Sequence, residues 1–157
     1  MKRDILSYDS VEIDNDGLFI RLIDQTKLPA ELSQLTVKDE ETLTDAIKEL
    51  KVRGAPALGI AATSGLCVIL KNLNIKTISS YICEFDRLAD TIVSIRPTAV
   101  NIRNGLVRLK CKLNEAVVKY GDDVYQVHNS VFMEAIAIKN EDIISNKIGR
   151  ASCRERV

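Results

Sequence analysis

Val52-Arg53-Gly54-Ala55-Pro56-Ala57-Leu58-Gly59-Ile60-Ala61-Ala62 is the stretch on which the reading of this chain turns. Pro56 predicts a helix start, because its missing N–H costs nothing in a first turn and its ring pre-sets φ. The residues that follow, to Leu70, are apolar nearly all round, so this second helix of the chain is expected to be buried. Ala57, Gly59, Ala61 and Ala62 are small enough to admit another backbone closely. Gly54 allows a sharp turn just ahead of the helix and close approach to a ligand. A helix N-terminus offers free N–H groups and a partial positive charge. Arg53 beside it adds a fork that fits phosphate or carboxylate.

The same device recurs in Ser94-Ile95-Arg96-Pro97-Thr98-Ala99-Val100-Asn101. The residue before a proline is pushed into extended backbone, so Arg96 should leave one helix and stand at the mouth of the next. If the two helix starts converge, one anion is held between two arginines. Read singly, Arg53 serves equally well as a surface pair or a neighbouring cap. Asn101 reads as a solvated polar position rather than a ligand contact.

Working outward, Val11–Asp14, Asn15-Asp16-Gly17 and Leu18–Asp24 predict a hairpin turning at Asp16-Gly17. Thr36 and Asp39 have capping-box spacing ahead of a helix faced by Leu43, Ala46, Ile47 and Leu50. Thr77–Ile95 predicts a third helix, with Ile78, Ile82, Phe85, Leu88, Ala89 and Ile92 inward. Pro97 predicts the start of a fourth, carrying Ile102, Leu106, Leu109, Leu113 and Val117 and ending at Gly121. Asp122 or Asp123 caps a fifth, faced by Val124, Val127, Val131, Ala135 and Ile138. The expected fold is α+β and mostly helical: an N-terminal β-hairpin followed by a helical bundle.

Ile148–Val157 resembles a translated sequencing adapter, and it has three arginines with no apolar period. It is expected to be an artefactual tail. Setting it aside leaves 19 Lys+Arg against 21 Asp+Glu, a net charge of −2. A weakly acidic body gives no support for nucleic-acid binding. The absence of Trp and a 4% aromatic content argue against base-stacking platforms. Ala55–Leu70 is too short and too rich in Gly, Ser and Thr for a membrane span. The N-terminus, Met1-Lys2-Arg3-Asp4, does not read as a signal peptide.

Cys67, Cys83 and Cys111 all fall in predicted helices without C-x-x-C spacing, and there is one His, so zinc is not expected. The cysteines read as small core residues and fit a reducing, cytoplasmic setting. Gly54, Gly59 and Gly65 do not spell a dinucleotide fingerprint, and there is no phosphate-loop Gly-Lys-Ser/Thr. His128 reads as a helix-surface residue with no nucleophile to pair with. The chain therefore offers a binding half-site without an evident acid, base or nucleophile.

Asp24-Gln25-Thr26-Lys27-Leu28-Pro29, Val52–Ala62 and Arg96–Asn101, in that order and at that separation, resemble the N-terminal half of the S-methyl-5-thioribose-1-phosphate isomerase family. That family also holds related sugar-1-phosphate isomerases and the regulatory subunits of the exchange factor for translation initiation factor two. The resemblance covers nearly all of residues 8 to 147. It implies a substrate-binding domain over 1–121, a connecting helix over 122–147, and a Rossmann-like C-terminal domain that is missing. The apolar second helix is expected to pack on that absent domain and to leave an exposed patch here. The resemblance further implies homodimers, a sugar-phosphate substrate, and no metal or organic cofactor. The substrate contacts it implies here are Arg53, Gly54, Ala55 and Arg96. The family's catalytic Cys and Asp belong to its C-terminal half, so this chain alone is expected to be inactive. Where many members carry an aromatic after the asparagine, this chain has Ile102-Arg103-Asn104-Gly105. The expected reaction is conversion of 5-methylthioribose 1-phosphate to 5-methylthioribulose 1-phosphate in methionine salvage. A 5-deoxyribose 1-phosphate substrate or a sugar-phosphate-sensing regulatory role is the alternative.

Overall fold

A computed structural model describes residues 10–155. Three short strands, β1 (Val11–Ile13), β2 (Ile20–Ile23) and β3 (Gln34–Val37), precede five helices. These are α1 (Glu40–Lys48), α2 (Ala55–Asn72), α3 (Ile78–Ile95), α4 (Val100–Tyr120) and α5 (Val124–Glu155). The fold is thus mostly helical with one small antiparallel sheet, ordered β1-β2-β3.

The hairpin forms where the turn residues demand it. Asp14 accepts from Gly17 N–H through its carbonyl and from Leu18 N–H through its side chain, and Gly17 takes the positive φ of 68°. β3 departs from the sequence reading, in which Thr36 belongs to a helix cap. Leu35 and Val37 alternate with Gln34 and Thr36, and that period of two extends the sheet, pairing Ile20 with Val37 and Leu22 with Leu35. Asp39 is the cap instead, its Oδ1 taking Thr42 N–H at 2.8 Å.

α2 is the central element. Every residue from Leu58 to Leu70 is buried, by α4 and α5 on one side and by α1, α3 and the sheet on others. The helix runs to Asn72, past the Ala55–Leu70 stretch that reads as too short for a membrane span; at that length its composition would let it cross one, yet it is the core of this bundle. The expectation that α2 leaves an apolar patch for another domain is therefore corrected: this chain covers it. Small residues make that possible. A Cβ on Gly105 would stand 2.7 Å from Thr63 Cγ2, and one on Gly59 would stand 3.1 Å from the Asn101 carbonyl oxygen. The α2–α4 crossing is closer than side chains allow, which accounts for a mid-helix glycine at Gly105.

The inward faces of α3 and α4 follow their period, so Tyr81, Phe85, Leu88 and Ile92, and Ile102, Leu106, Leu109 and Leu113, are buried. The same period turns Cys83 and Cys111 outward; only Cys67 of the three is a core residue, its thiol pushed up to about 12 by burial. Gly121 ends α4 at φ 60°, and Asp123 caps α5 by accepting Gln126 N–H. α5 continues as helix through Ile148 to Glu155.

His128 is a second correction. It is 8% exposed, not a surface residue. Val124, His128, Val131 and Ala135 share one face at spacings of four, three and four. His128 stacks on Phe132, whose ring lies under the Gly17 turn, and its Nδ1 sits 2.9 Å from the Tyr81 hydroxyl. Unprotonated, Nδ1 accepts the Tyr81 O–H. Burial, with Lys71 nearby, pushes the imidazole down to about 4. Protonation is thus disfavoured in the fold relative to the unfolded chain. Stability should be full above about pH 6.5 and fall as the pH drops toward 4, by up to about 3 kcal/mol. Denaturant titrations across that range should show the slope, and His128→Leu should remove its contribution.

Candidate functional site

Arg53 and Arg96 line one cleft of about 660 Å³, together with Gly54, Ala55, Leu58 and the first residues of α4. Each sequence-derived contact residue is therefore placed at the same opening. The cleft is built from two helix starts and the C-terminal end of α1.

Gly54 stands at the N-cap of α2 with φ 94° and ψ 134°, a conformation that other residues seldom adopt, and no side chain caps this end. Leu58 N–H returns to the Gly54 carbonyl at 3.0 Å, so the earlier N–H groups face outward from the helix start. Pro56 lies in the first turn, as expected.

The second start differs from the sequence reading. Pro97 does not open α4. Residues 96–99 make a turn in which Ala99 N–H reaches the Arg96 carbonyl at 3.0 Å, and the helix begins at Val100. The Pro97 carbonyl stays outside the ladder and accepts the Arg103 guanidinium at 2.7 Å. Ala99 caps α4 without a side-chain hydrogen bond, leaving a second helix end open. Arg96 is half-buried at this turn, with φ −137° and ψ 76°. The longer turn adds Thr98 and Ala99 to the cleft wall.

Three contributors escape a reading of the sequence. Asn101, a solvated position by sequence alone, is half-buried and lines the cleft. Gln25, in a segment that reads as a strand end, clamps the Arg53 loop. Its N–H donates to the Lys51 carbonyl at 2.9 Å and its amide to the Arg53 carbonyl at 3.4 Å. Asp24 supports it by accepting both the N–H and the hydroxyl of Thr26, and the hydroxyl bond holds its carboxyl below the usual range.

Leu50 is the third. It occupies the position just past the α1 cap with φ 58°, where glycine is usual. Leu50 N–H bonds the Ile47 carbonyl and Lys51 N–H bonds the Ala46 carbonyl, closing α1. A left-handed conformation costs a non-glycine residue about 1–2 kcal/mol. The turn aims the Leu50 carbonyl at Arg53, whose Nε donates to it at 3.3 Å. Arg53 is so held at the cleft mouth by the backbone, with its remaining guanidinium donors available.

The cleft combines two cations, two open helix ends and an apolar floor. None of its lining residues is a carboxylate, a histidine or a cysteine. Among the described residues no cluster of His, Cys, Asp or Glu could hold a metal ion. Two forked cations beside open helix ends and aliphatic side chains suit an anion attached to a partly apolar body.

Residues 51–156 match the Initiation factor 2 subunit family. The chain belongs to that family. Among curated relatives of this family member, a 5-deoxyribose 1-phosphate isomerase from Moorella thermoacetica is 41% identical over 123 residues, 78% of this chain and 34% of the relative. A methylthioribose-1-phosphate isomerase from Desulforamulus reducens is 37% identical over 128 residues, 82% of this chain and 36% of the relative. Among solved structures, the translation initiation factor eIF-2B subunit delta from A. fulgidus superposes with a TM-score of 0.75 at 34% identity, covering 87% of this chain and 38% of that one. The 5-methylthioribose 1-phosphate isomerase from Pyrococcus horikoshii OT3 gives a TM-score of 0.74 at 31% identity, covering 84% and 36%. The chain therefore spans a little over a third of the length of these relatives.

Proposed function

We infer that this chain is the N-terminal, substrate-gripping part of an aldose–ketose isomerase that converts 5-methylthioribose 1-phosphate to 5-methylthioribulose 1-phosphate. The observation that carries the reading is the convergence of Arg53 and Arg96 at two uncapped helix starts in one cleft. Phosphate matches that arrangement, because it takes N–H donors at helix ends and forked donors from arginine together. Arg53 and Arg96 grip the phosphate, and Gly54 and Ala55 bring backbone against it. The activities for which the curated relatives are named favour a sugar 1-phosphate as the rest of the ligand.

In this reading the residues that open the ring and move hydrogen between C2 and C1 lie in a Rossmann-like domain outside the 157 residues. The test is an isomerase assay. The complete enzyme, carrying this chain at its N-terminus, should turn over the aldose 1-phosphate, and the 157-residue chain alone should not. Turnover by the chain alone would contradict the division of labour.

The likeness to eIF-2B subunit delta favours a second reading, a regulatory subunit that senses a sugar phosphate in the same cleft. It predicts binding without turnover even in the complete protein.

A further inference from the structure

We propose that Leu50 sets the preference of the cleft for an apolar substituent on the sugar's C5; this rests on the reading of the cleft as a sugar 1-phosphate site. Arg53 and Arg96 account for a phosphate, and Thr98 and Asn101 offer polar groups at the α4 start, but the rest of the wall is mostly aliphatic: Leu50, Leu58, Ala99 and Val100. A sugar hydroxyl gains little against the aliphatic part of that wall. A sugar ending in a methylthio or methyl group would bury that group there.

Leu50 is the one wall residue held in a left-handed backbone without being glycine, and the fold does not explain its presence. Leu58 is 6% exposed and belongs to the core as well as the cleft. Leu50 is 40% exposed and adds little to the core. Its backbone has φ 58° at the closing turn of α1, a position that glycine fills without strain. The carbonyl that holds Arg53 would be supplied by any residue in that conformation. The side chain is thus kept at a cost to the fold, at the mouth of the cleft. Contact with the ligand's apolar end is the use that the surroundings offer.

The test compares the complete enzyme with its Leu50→Gly and Leu50→Asn variants on two sugars, 5-methylthioribose 1-phosphate and ribose 1-phosphate, which keeps a hydroxyl at C5. Glycine and asparagine both accept the left-handed turn, so the fold and the Arg53 contact should persist, and the melting temperature of each variant checks this. The ratio of kcat/KM for the methylthio sugar over the hydroxyl sugar should fall about tenfold or more, the discrimination typical of a small apolar group in a pocket. An unchanged ratio in an active, folded variant overturns the assignment to Leu50 and leaves the cleft reading standing. A complete wild-type enzyme that turns over neither sugar overturns both.

Discussion

Replacing Arg96 by alanine in the complete enzyme is expected to weaken binding of the aldose 1-phosphate by at least tenfold, about 1.4 kcal/mol. Arg53→Ala should do the same. Each charge-assisted hydrogen bond to phosphate is worth roughly 1.5–3 kcal/mol, so removing a forked pair of them from either helix start exceeds that minimum. Neither substitution should unfold the protein. Arg53 is exposed and Arg96 half-buried, and neither contributes to the core. Lysine should recover only part of the affinity at Arg96, because a single ammonium cannot present two parallel donors. Calorimetric titration of the complete enzyme checks each value. Equal affinity in all variants would mean that the arginines are ordinary surface residues.

The second large effect is on stability. Gly105→Ala should destabilise the chain, although alanine normally improves an exposed helix by about 1 kcal/mol over glycine. The new Cβ would stand 2.7 Å from Thr63 Cγ2, and Thr63 is fully buried on the facing helix. Overpacking of this kind costs about 1–3 kcal/mol, a fall in melting temperature of about 2–12 °C for a chain of this size. Thr63→Ser should rescue it. Serine removes Cγ2 and keeps the hydroxyl that donates to the Gly59 carbonyl at 2.8 Å. The double variant should therefore recover most of the stability, and the cycle of four melts isolates the clash. A gain in stability from Gly105→Ala alone would mean that α2 and α4 do not cross this closely. Because the α4 start also forms the cleft, the single variant should weaken ligand binding as well.

Much of this is legible in residue order. Pro56 and Gly54 announce the start of α2, and the aliphatic run behind them announces its burial. The periods of α3, α4 and α5 identify their inward faces, and the two arginine segments, each ahead of a helix start, line one cleft. The omissions have physical causes. β3 is four residues long, and two alternations are too few to outweigh the capping spacing of Thr36 and Asp39. Pro97 suits a helix start, but a turn held by Arg103 on its carbonyl takes its place. Leu50 continues the apolar spacing of α1 and so reads as part of its inward face, but the helix ends at Lys48 and Leu50 takes a left-handed turn where leucine is not expected. His128 could be found from the spacing it shares with Val124, Val131 and Ala135; its polarity hides a partner, Tyr81, that lies 47 residues away. Gln25 acts through the backbone of a distant loop, which no local pattern encodes.

The most direct measurement is an NMR titration of the isotopically labelled 157-residue chain with 5-methylthioribose 1-phosphate, following backbone amides. The account predicts that amides at both helix starts shift together along one saturation curve: Gly54, Ala55 and Ala57 at one, Thr98 to Asn101 at the other. Arg96→Ala should weaken that curve at both ends. Shifts confined to one helix start, or none at either, would contradict a single phosphate site shared between them.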